Sequence, residues 1–472
     1  MLSLSGSSRT LLLILAVGTS LTPLAFSQLE TRGSFVTNNS PSSIAVGDFN
    51  HDGKLDVAVA AGASTTDTVA ILLGNGDGTF RHALYYTVGV GAVSLVAADF
   101  NHDGNLDLAV ASQSSYIGIL LGNGDGTFQT ATQRPPVPTF EQFVTVGDFN
   151  GDGKPDLVTL ASGVISVLLG NGDGTFQDAV TTQPPFSIES IGAGDFNRDG
   201  KLDLATAGTF GSDSSVNILL GNGDGTFQNG ATYPGGNVPV SIAVADFNGD
   251  HKLDLAIADS EGVGVSVLLG NGDGTFQTAV VYPIPFTLWV TAADLNGDGK
   301  LDLVVANNIT ASSGLTVFLG NGDGTFQSGT FYPAGIDASY AAVGDFNGDA
   351  KKDLVAADNR FNDVIVLLNT GTVAFSPTAP LNFKKQAVGT TSAPQKVTLT
   401  NTGKAALKIS AMKAAGQFAM TSTCHASVAP GAKCSISVTF SPKSNGTKSG
   451  TVTILDSASS KPMVIELSGT GT

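Results

Sequence analysis

A nine-residue string built on three aspartates recurs along this 472-residue chain, and its recurrence constrains the architecture more than any other feature. Asp-Phe-Asn-x-Asp-x-x-x-Asp starts at Asp48, Asp99, Asp148, Asp195, Asp246, Asp294 (with Leu295 in place of Phe) and Asp345. Successive starts lie 51, 49, 47, 51, 48 and 51 residues apart. A second string, Leu-Gly-Asn-Gly-Asp-Gly-Thr-Phe, follows from Leu73, Leu121, Leu169, Leu220, Leu269 and Leu319, and has decayed to Leu368-Asn369-Thr370-Gly371 in the last unit. A unit this small buries little by itself, so seven of them must stack on one another.

Each unit reads as four short strands. In the fifth, Ser241-Ile242-Ala243-Val244-Ala245 precedes the Asp string and Leu255-Ala256-Ile257-Ala258 follows it. Val265-Ser266-Val267-Leu268-Leu269 then enters the Asn271-Gly272-Asp273-Gly274 turn, and a strand from Phe276 to Val281 leaves it. Short β-branched runs between Gly and Asp signals predict strands, and no stretch holds a helical period. Four strands repeated around a ring make a β-propeller, whose closure leaves only short sheet edges; a β-solenoid is the alternative, with coils usually shorter than this period. Gly33-Ser34-Phe35 resembles the Gly-Thr-Phe that opens each fourth strand. It is expected to complete the seventh unit, where Val373-Ala374-Phe375 is degenerate, and so to fasten the ring.

Of 40 acidic residues 35 are Asp, a residue of turns and metal loops rather than helix surfaces. Residues 1–375 carry 13 basic and 38 acidic side chains, whereas 376–472 carry 10 Lys and 2 acids, so the chain holds two different objects. The overall charge of −17 argues against nucleic acid as a partner. At the start, Arg9 precedes the apolar run Leu11–Val17, and Ala25-Phe26-Ser27 offers small residues for cleavage before Gln28. This is the pattern of a Sec-type signal peptide over 1–27, with an uncleaved anchor as the alternative. No later run is long enough to span a bilayer, so the mature chain is expected outside the cell or on its surface, without a transmembrane segment.

The Asp strings carry the chemistry of a calcium loop. In the first, side-chain oxygens fall at positions 1, 3, 5 and 9 (Asp48, Asn50, Asp52, Asp56), and the backbone carbonyl of Lys54 supplies position 7. Five hard oxygens with water to complete the shell suit Ca²⁺, whereas zinc wants Cys or His. The other six sets are Asp99, Asn101, Asp103, Asn105 and Asp107; Asp148, Asn150, Asp152, Lys154 and Asp156; Asp195, Asn197, Asp199, Lys201 and Asp203; Asp246, Asn248, Asp250, Lys252 and Asp254; Asp294, Asn296, Asp298, Lys300 and Asp302; and Asp345, Asn347, Asp349, Lys351 and Asp353. Up to seven Ca²⁺, one per unit, are expected. Three carboxylates in nine residues repel one another without a cation, which weighs against a merely Asp-rich turn. Position 6 is Gly except for His251 and Ala350, and those two loops are expected to bind more weakly, since a Cβ is disfavoured at positive φ. The Asn-Gly-Asp-Gly strings read as hairpin turns rather than a second metal site.

With both motifs in register, residues 33–375 resemble the FG-GAP/VCBS repeats of integrin α-subunit heads, bacterial surface proteins and certain propeller lectins. That resemblance implies a seven-bladed propeller over 28–375 with Ca²⁺ between strands one and two of each blade, and extracellular binding or adhesion more often than catalysis. Beyond it, Val397–Thr400, Ser435–Phe440 and Gly450–Ile454 alternate as half-buried strands of an immunoglobulin-like β-sandwich over 376–472. The chain is thus expected to be all-β. Val397–Gly403 and Ala429–Cys434 resemble the ASPM/SPD-2/Hydin family, including choice-of-anchor D domains, which implies a spacer or attachment module. Cys424 and Cys434 frame the Ala429-Pro430-Gly431 turn and, in an exported protein, are expected to form a disulfide.

No converging catalytic set can be assembled. The acids outside the motifs are scattered; a carboxylate pair among Asp213, Asp259, Glu261 and Asp358 is the one opening for a polysaccharide-degrading enzyme. The connections opposite the Asp loops vary between units. Five positions before each first loop Asp stand Ser43, Ser94, Phe143, Ser190, Ser241, Trp289 and Tyr340. Phe143, Trp289 and Tyr340 are candidate ligand contacts, with packing between blades as the other reading. The expectation is a non-catalytic binding or adhesion protein for an extracellular protein, with a glycan-binding lectin as the alternative.

Overall fold

In the computed structural model the chain is all-β, with no helix among the described residues. The structure describes residues 29–472 apart from 38–39, 63–66, 90, 114–115, 134–140, 162, 184–186, 211–212, 263, 309–312, 370–372, 377–380, 402–405, 430 and 457–462. The expected leader, residues 1–27, lies outside the described residues. Among those described, no helix is long and apolar enough to cross a membrane.

Each of the first six repeats folds into a four-stranded antiparallel meander. In the fifth, Pro239–Ala245, Asp254–Asp259, Val265–Leu268 and Val280–Tyr282 pair in that order. The second strand is buried throughout, because sheets cover both its faces, while the fourth lies at the rim. That fourth strand starts later than its sequence predicts. Phe276 makes a single bridge to Gly270 and donates its N–H to the Tyr233 hydroxyl of the preceding unit at 2.7 Å, and the ladder resumes only at Val280.

Seven such sheets occur among the described residues, and their first strands neighbour one another in chain order. The last of these, Ala338–Gly344, returns to the first, Pro41–Gly47, so the sheets form a ring. The ring is fastened by Leu29–Val36, which pairs antiparallel with Asp363–Asn369 as the fourth strand of the last blade. The register, however, differs from the motif match. Leu29 lies opposite Asn369, the residue whose N–H takes the place of Gly74 or Gly270, so Leu29 stands where other blades put the hairpin Phe. Gly33, Ser34 and Phe35 lie farther along, opposite Val366, Ile365 and Val364.

Because Leu29–Val36 takes the outer edge of the last blade, Val373–Ser376 pairs instead with Gln395–Asn401 of the second unit. The expected division between 375 and 376 therefore falls inside a strand of the sandwich. One sandwich sheet orders Val373–Ser376, Gln395–Asn401, Lys433–Phe440 and Phe418–Ser422. The other orders Leu381–Gln386, Met463–Gly471, Gly446–Asp456, Leu407–Ala414 and Ser427–Val428. Alternation in Lys433–Phe440 sends Cys434, Ile436, Val438 and Phe440 inward against Val397, Leu399, Ile454 and Ile465. Cys424 and Cys434 form a disulfide.

Deleting residues 29–36 leaves the last blade three-stranded with an unpaired edge. The expected result is a lower melting midpoint and concentration-dependent association in light scattering; an unchanged melt and a monodisperse monomer would contradict the closure described.

Candidate metal loops and blade junctions

The two sequence motifs meet in space, joined by the ninth residue of each Asp string. Asp56 is fully buried; its Oδ2 accepts the Phe49 N–H at 2.9 Å and its Oδ1 the Gly74 N–H at 2.7 Å. One carboxylate thus ties the loop between strands one and two to the turn between strands three and four. Asp107, Asp156, Asp203, Asp254, Asp302 and Asp353 repeat the bridge at 2.7–3.0 Å, with Asn369 in place of the glycine in the last blade. Burial pushes the carboxyls of Asp56, Asp107 and Asp254 up to about 6, and those of Asp302 and Asp353 to about 7, against the opposing pull of the two amides. These folded values lie above the ordinary carboxylate value of 3.8, so the groups favour folding at low pH and progressively less as pH rises from about 4 to 7.

Position 2 of each loop is buried, and the polar residues of the loop lie partly or fully exposed, wound by turns onto their own side chains. Asp48 accepts the N–H groups of Asp52 and Gly53, Asn50 accepts that of Asp52, and Asp52 accepts that of Lys54, all at 2.8–3.1 Å. The other loops follow the same pattern, with Ala350 donating to Asp345 and His251 to Asp246. The donor set of each loop is hard oxygen, and each carboxylate oxygen holding one amide keeps a second lone pair, so the chemistry fits a calcium-like cation. As placed, these oxygens face backbone amides. Among the described residues no three His, Cys, Asp or Glu side chains stand close enough to hold a metal between them.

Winding this tightly requires the left-handed region twice per loop. Position 6 has φ of 64° at His251 and 67° at Ala350, as the sequence argument requires. Position 4 was not anticipated: His51, His102 and Arg198 stand there at 56°, 57° and 62°, where the other loops have Gly.

The Asn-Gly-Asp-Gly-Thr-Phe turn reaches across to the preceding blade. Its last glycine donates to the carbonyl of the loop Phe next door, for example Gly126 N–H to Phe49 O at 3.0 Å and Gly78 N–H to Phe346 O at 2.9 Å. Its Phe packs edge-on against the same loop Phe, in the pairs Phe49–Phe128, Phe100–Phe176, Phe149–Phe227, Phe196–Phe276, Phe247–Phe326 and Phe346–Phe80, with centroids 5.5–6.1 Å apart. Within the turn, Asp77 accepts from the Thr79 N–H and hydroxyl, which holds its carboxyl below the usual range. The turn is therefore a structural staple. At the junction between blades six and seven the sequence lacks this motif, and there Leu295 and Leu29 share one apolar cluster.

The residues five before each loop also join blades. Ser43, Ser94, Ser190 and Ser241 are buried, and each hydroxyl accepts an N–H from the first strand of the next blade at 3.2–3.3 Å. Of the aromatic candidates at this position, Trp289 stacks on Tyr340 with centroids 3.9 Å apart, and Phe143 packs on the cluster containing Ile188 and Ile191. Burial pushes the Tyr340 hydroxyl up to about 12, and it bonds Ser43. All three are half-buried. The leftover acids Asp259 and Asp358 are buried, and each accepts three backbone N–H groups of neighbouring connections.

Sequence reasoning missed the exposed apolar residues on the face opposite the Asp loops. Phe286 and Ile336 in the connections between blades, Phe361 in the blade-seven hairpin and Val36 at the end of the closing strand are each at least half exposed. Hydrogen bonds run between their connections: Asn308 to Phe286, Asn308 to Asp337, Asn359 to Asp337, and Thr37 to Asn362. Phe286 itself has φ 53°, an outlier for a bulky residue. An exposed aromatic in a connection between two strand runs was the available signal.

Six overlapping stretches between 48 and 356, more than half of the chain, match the FG-GAP-like repeat, and residues 371–464 match the abnormal spindle-like microcephaly-associated ASPM-SPD-2-Hydin domain. No curated protein is matched. Among solved structures, the chain is similar to BBS1N in complex with ARL6DN, at 16% identity and a TM-score of 0.52, over 73% of this chain and 97% of that one. It is also similar to an Agrocybe aegerita lectin that recognises non-reducing terminal N-acetylglucosamine, at 20% identity and a TM-score of 0.46, over 66% of this chain and 91% of that one.

Replacing Ala350 or His251 by Gly is expected to stabilise the protein by about 0.5–1 kcal/mol each, the left-handed penalty less the entropy of Gly. Gly53→Ala, although no atom lies within 4 Å of the added Cβ, should cost about 1 kcal/mol. Urea melts at fixed calcium check both; a stabilising Gly53→Ala would contradict the loop conformation.

Proposed function

The chain belongs to the FG-GAP-like repeat family, and on that premise we propose that it is an exported, calcium-loaded propeller that binds an extracellular or cell-surface protein without catalysis. FG-GAP propellers and ASPM-SPD-2-Hydin domains are typically binding folds. The Asp loops, one per blade, would hold Ca²⁺ through positions 1, 3, 5 and 9 with the position-7 carbonyl. Bound cations would offset the acidity of a ring whose charge, over residues 28–375, is −26. The Sec-type leader and the Cys424–Cys434 disulfide support export.

The observation that favours a protein ligand is the exposed apolar sector of Phe286, Ile336 and Phe361 on adjoining connections. Contiguous apolar exposure marks protein docking, with aromatic residues as the usual anchors. A lectin is the second reading, on Phe143, Trp289 and Tyr340, but the stacking of Trp289 on Tyr340 engages one face of each ring. Against catalysis, Asp259 and Asp358 are committed to capping backbone.

Residues 28–472 bound to intact cells separate the readings. Binding to a protein should vanish after mild surface proteolysis, survive periodate oxidation of glycans, and fall about tenfold or more in Phe286→Ser/Phe361→Ser. Binding that is lost on periodate treatment and in Trp289→Ala would instead make the protein a lectin.

A further inference from the structure

Basic charge is gathered at one end of the sandwich. Lys384, Lys385, Lys396, Lys443 and Lys448 lie in two segments that are knit together there. The Gly389 N–H donates to the Pro442 carbonyl and the Ser392 N–H to the Phe440 carbonyl, both at 2.9 Å, and the Thr391 and Ser441 hydroxyls bond at 2.8 Å. Lys385 and Lys448 stand opposite Thr470 and Gly469, on the two sides of the strand Met463–Gly471. Lys396 joins them from the other sheet, where its neighbour Gln395 donates to the Asn382 carbonyl at 2.8 Å. Four of the five are exposed, and Lys448 is half-buried with its ammonium on the Asn445 carbonyl. Among the described residues none of the five is in an ion pair. The two acids of the unit lie elsewhere, Asp456 opposite Ile409 and Glu466 opposite Thr451.

The strand Leu381–Gln386 is an edge of its sheet, and its register shifts between Asn382 and Lys385. Lys384 takes φ 48° at that bulge, so two consecutive lysines are exposed where a regular strand would turn one inward. Protection of a sheet edge accounts for lysine on this strand, but not for Lys396 in the other sheet or Lys443 in a connection. The ring joins at the opposite end: Val373, four residues beyond Asn369, pairs with Asn401. The eight residues Lys433–Phe440 run from that end to the lysines, a distance of about 25 Å at the usual strand rise. That is about three Debye lengths at physiological salt, so the acidity of the ring is screened at the lysine end.

We propose that this end of the sandwich binds an anionic polysaccharide of the cell surface or its surroundings and tethers the propeller to it. The unit has no Arg; lysines act as flexible point charges without a bidentate fork, which suits the repeating charges of a polymer more than one fixed phosphate. Exposed Thr390, Thr391, Ser444, Asn445 and Thr447 offer hydroxyl and amide partners to sugar hydroxyls. A bilayer surface would call for large apolar anchors, and among the described residues Val388 is the one exposed large hydrophobic residue at this end. The site is separate from the apolar sector of the propeller and does not depend on it.

The test uses residues 28–472 in millimolar calcium with fluorescein-labelled heparin, read by anisotropy, and labelled dextran as the uncharged control. Saturable binding to heparin but not to dextran is expected, weakening as salt is raised. Lys385→Gln/Lys443→Gln should weaken it about tenfold, whereas Lys413→Gln/Lys433→Gln, which removes the same charge elsewhere on the sandwich, should leave it within about twofold. Melting midpoints report that both variants fold. Absence of saturable binding, equal loss in the two variants, or tighter binding to duplex DNA or to phosphatidylserine vesicles than to heparin would overturn the proposal.

Discussion

A buried carboxylate holding two backbone amides is the interaction on which this ring depends. Asp56 and its six counterparts join the loop between strands one and two to the turn between strands three and four, which fixes where the exposed half of each Asp loop and each hairpin lie. From that pairing follow the glycine-to-carbonyl bond and the Phe–Phe contact that run from one blade to the next. Ring pairs of this geometry contribute about 0.5–1.5 kcal/mol each beyond their buried area, so six of them are a substantial part of what resists opening.

That interaction also changes what the aspartates mean. Read as a string, three carboxylates in nine residues look like one metal site. In the fold the third is buried beneath the loop with each oxygen already holding one backbone amide, so its share in the proposed site comes only through its remaining lone pairs, while the first two and the Asn remain at the surface. The proposed calcium would therefore act on a loop already braced from below, which suits a cation that strengthens a preformed turn rather than one that creates it.

Much of the fold was legible because repetition multiplies weak signals. A single run such as Leu255–Ala258 says little, but the same run in every unit, always after an Asp, identifies a buried second strand. The disulfide and the sandwich strands were readable from spacing and alternation. The register of the closing strand was not, because Gly33-Ser34-Phe35 mimics the motif while pairing alone decides that Leu29 faces Asn369. The position-4 residues His51, His102 and Arg198 hid their left-handed backbone because nothing but geometry marks it. The position holding Phe143, Trp289 and Tyr340 reads from sequence either as ligand contacts or as packing between blades; the serines of the same series bond the next blade, which places it at a seam between blades, and Phe286 and Phe361 are picked out by exposure rather than residue type.

The central claim is that every Asp loop takes calcium onto this braced frame. Native mass spectrometry of residues 28–472 with calcium measures it directly, with EDTA-treated protein as the reference. The account predicts a ladder rising to seven ions, the last two added at higher calcium than the rest and shifted to lower concentration by His251→Gly and Ala350→Gly. A spectrum that stays at the metal-free mass through millimolar calcium would contradict it.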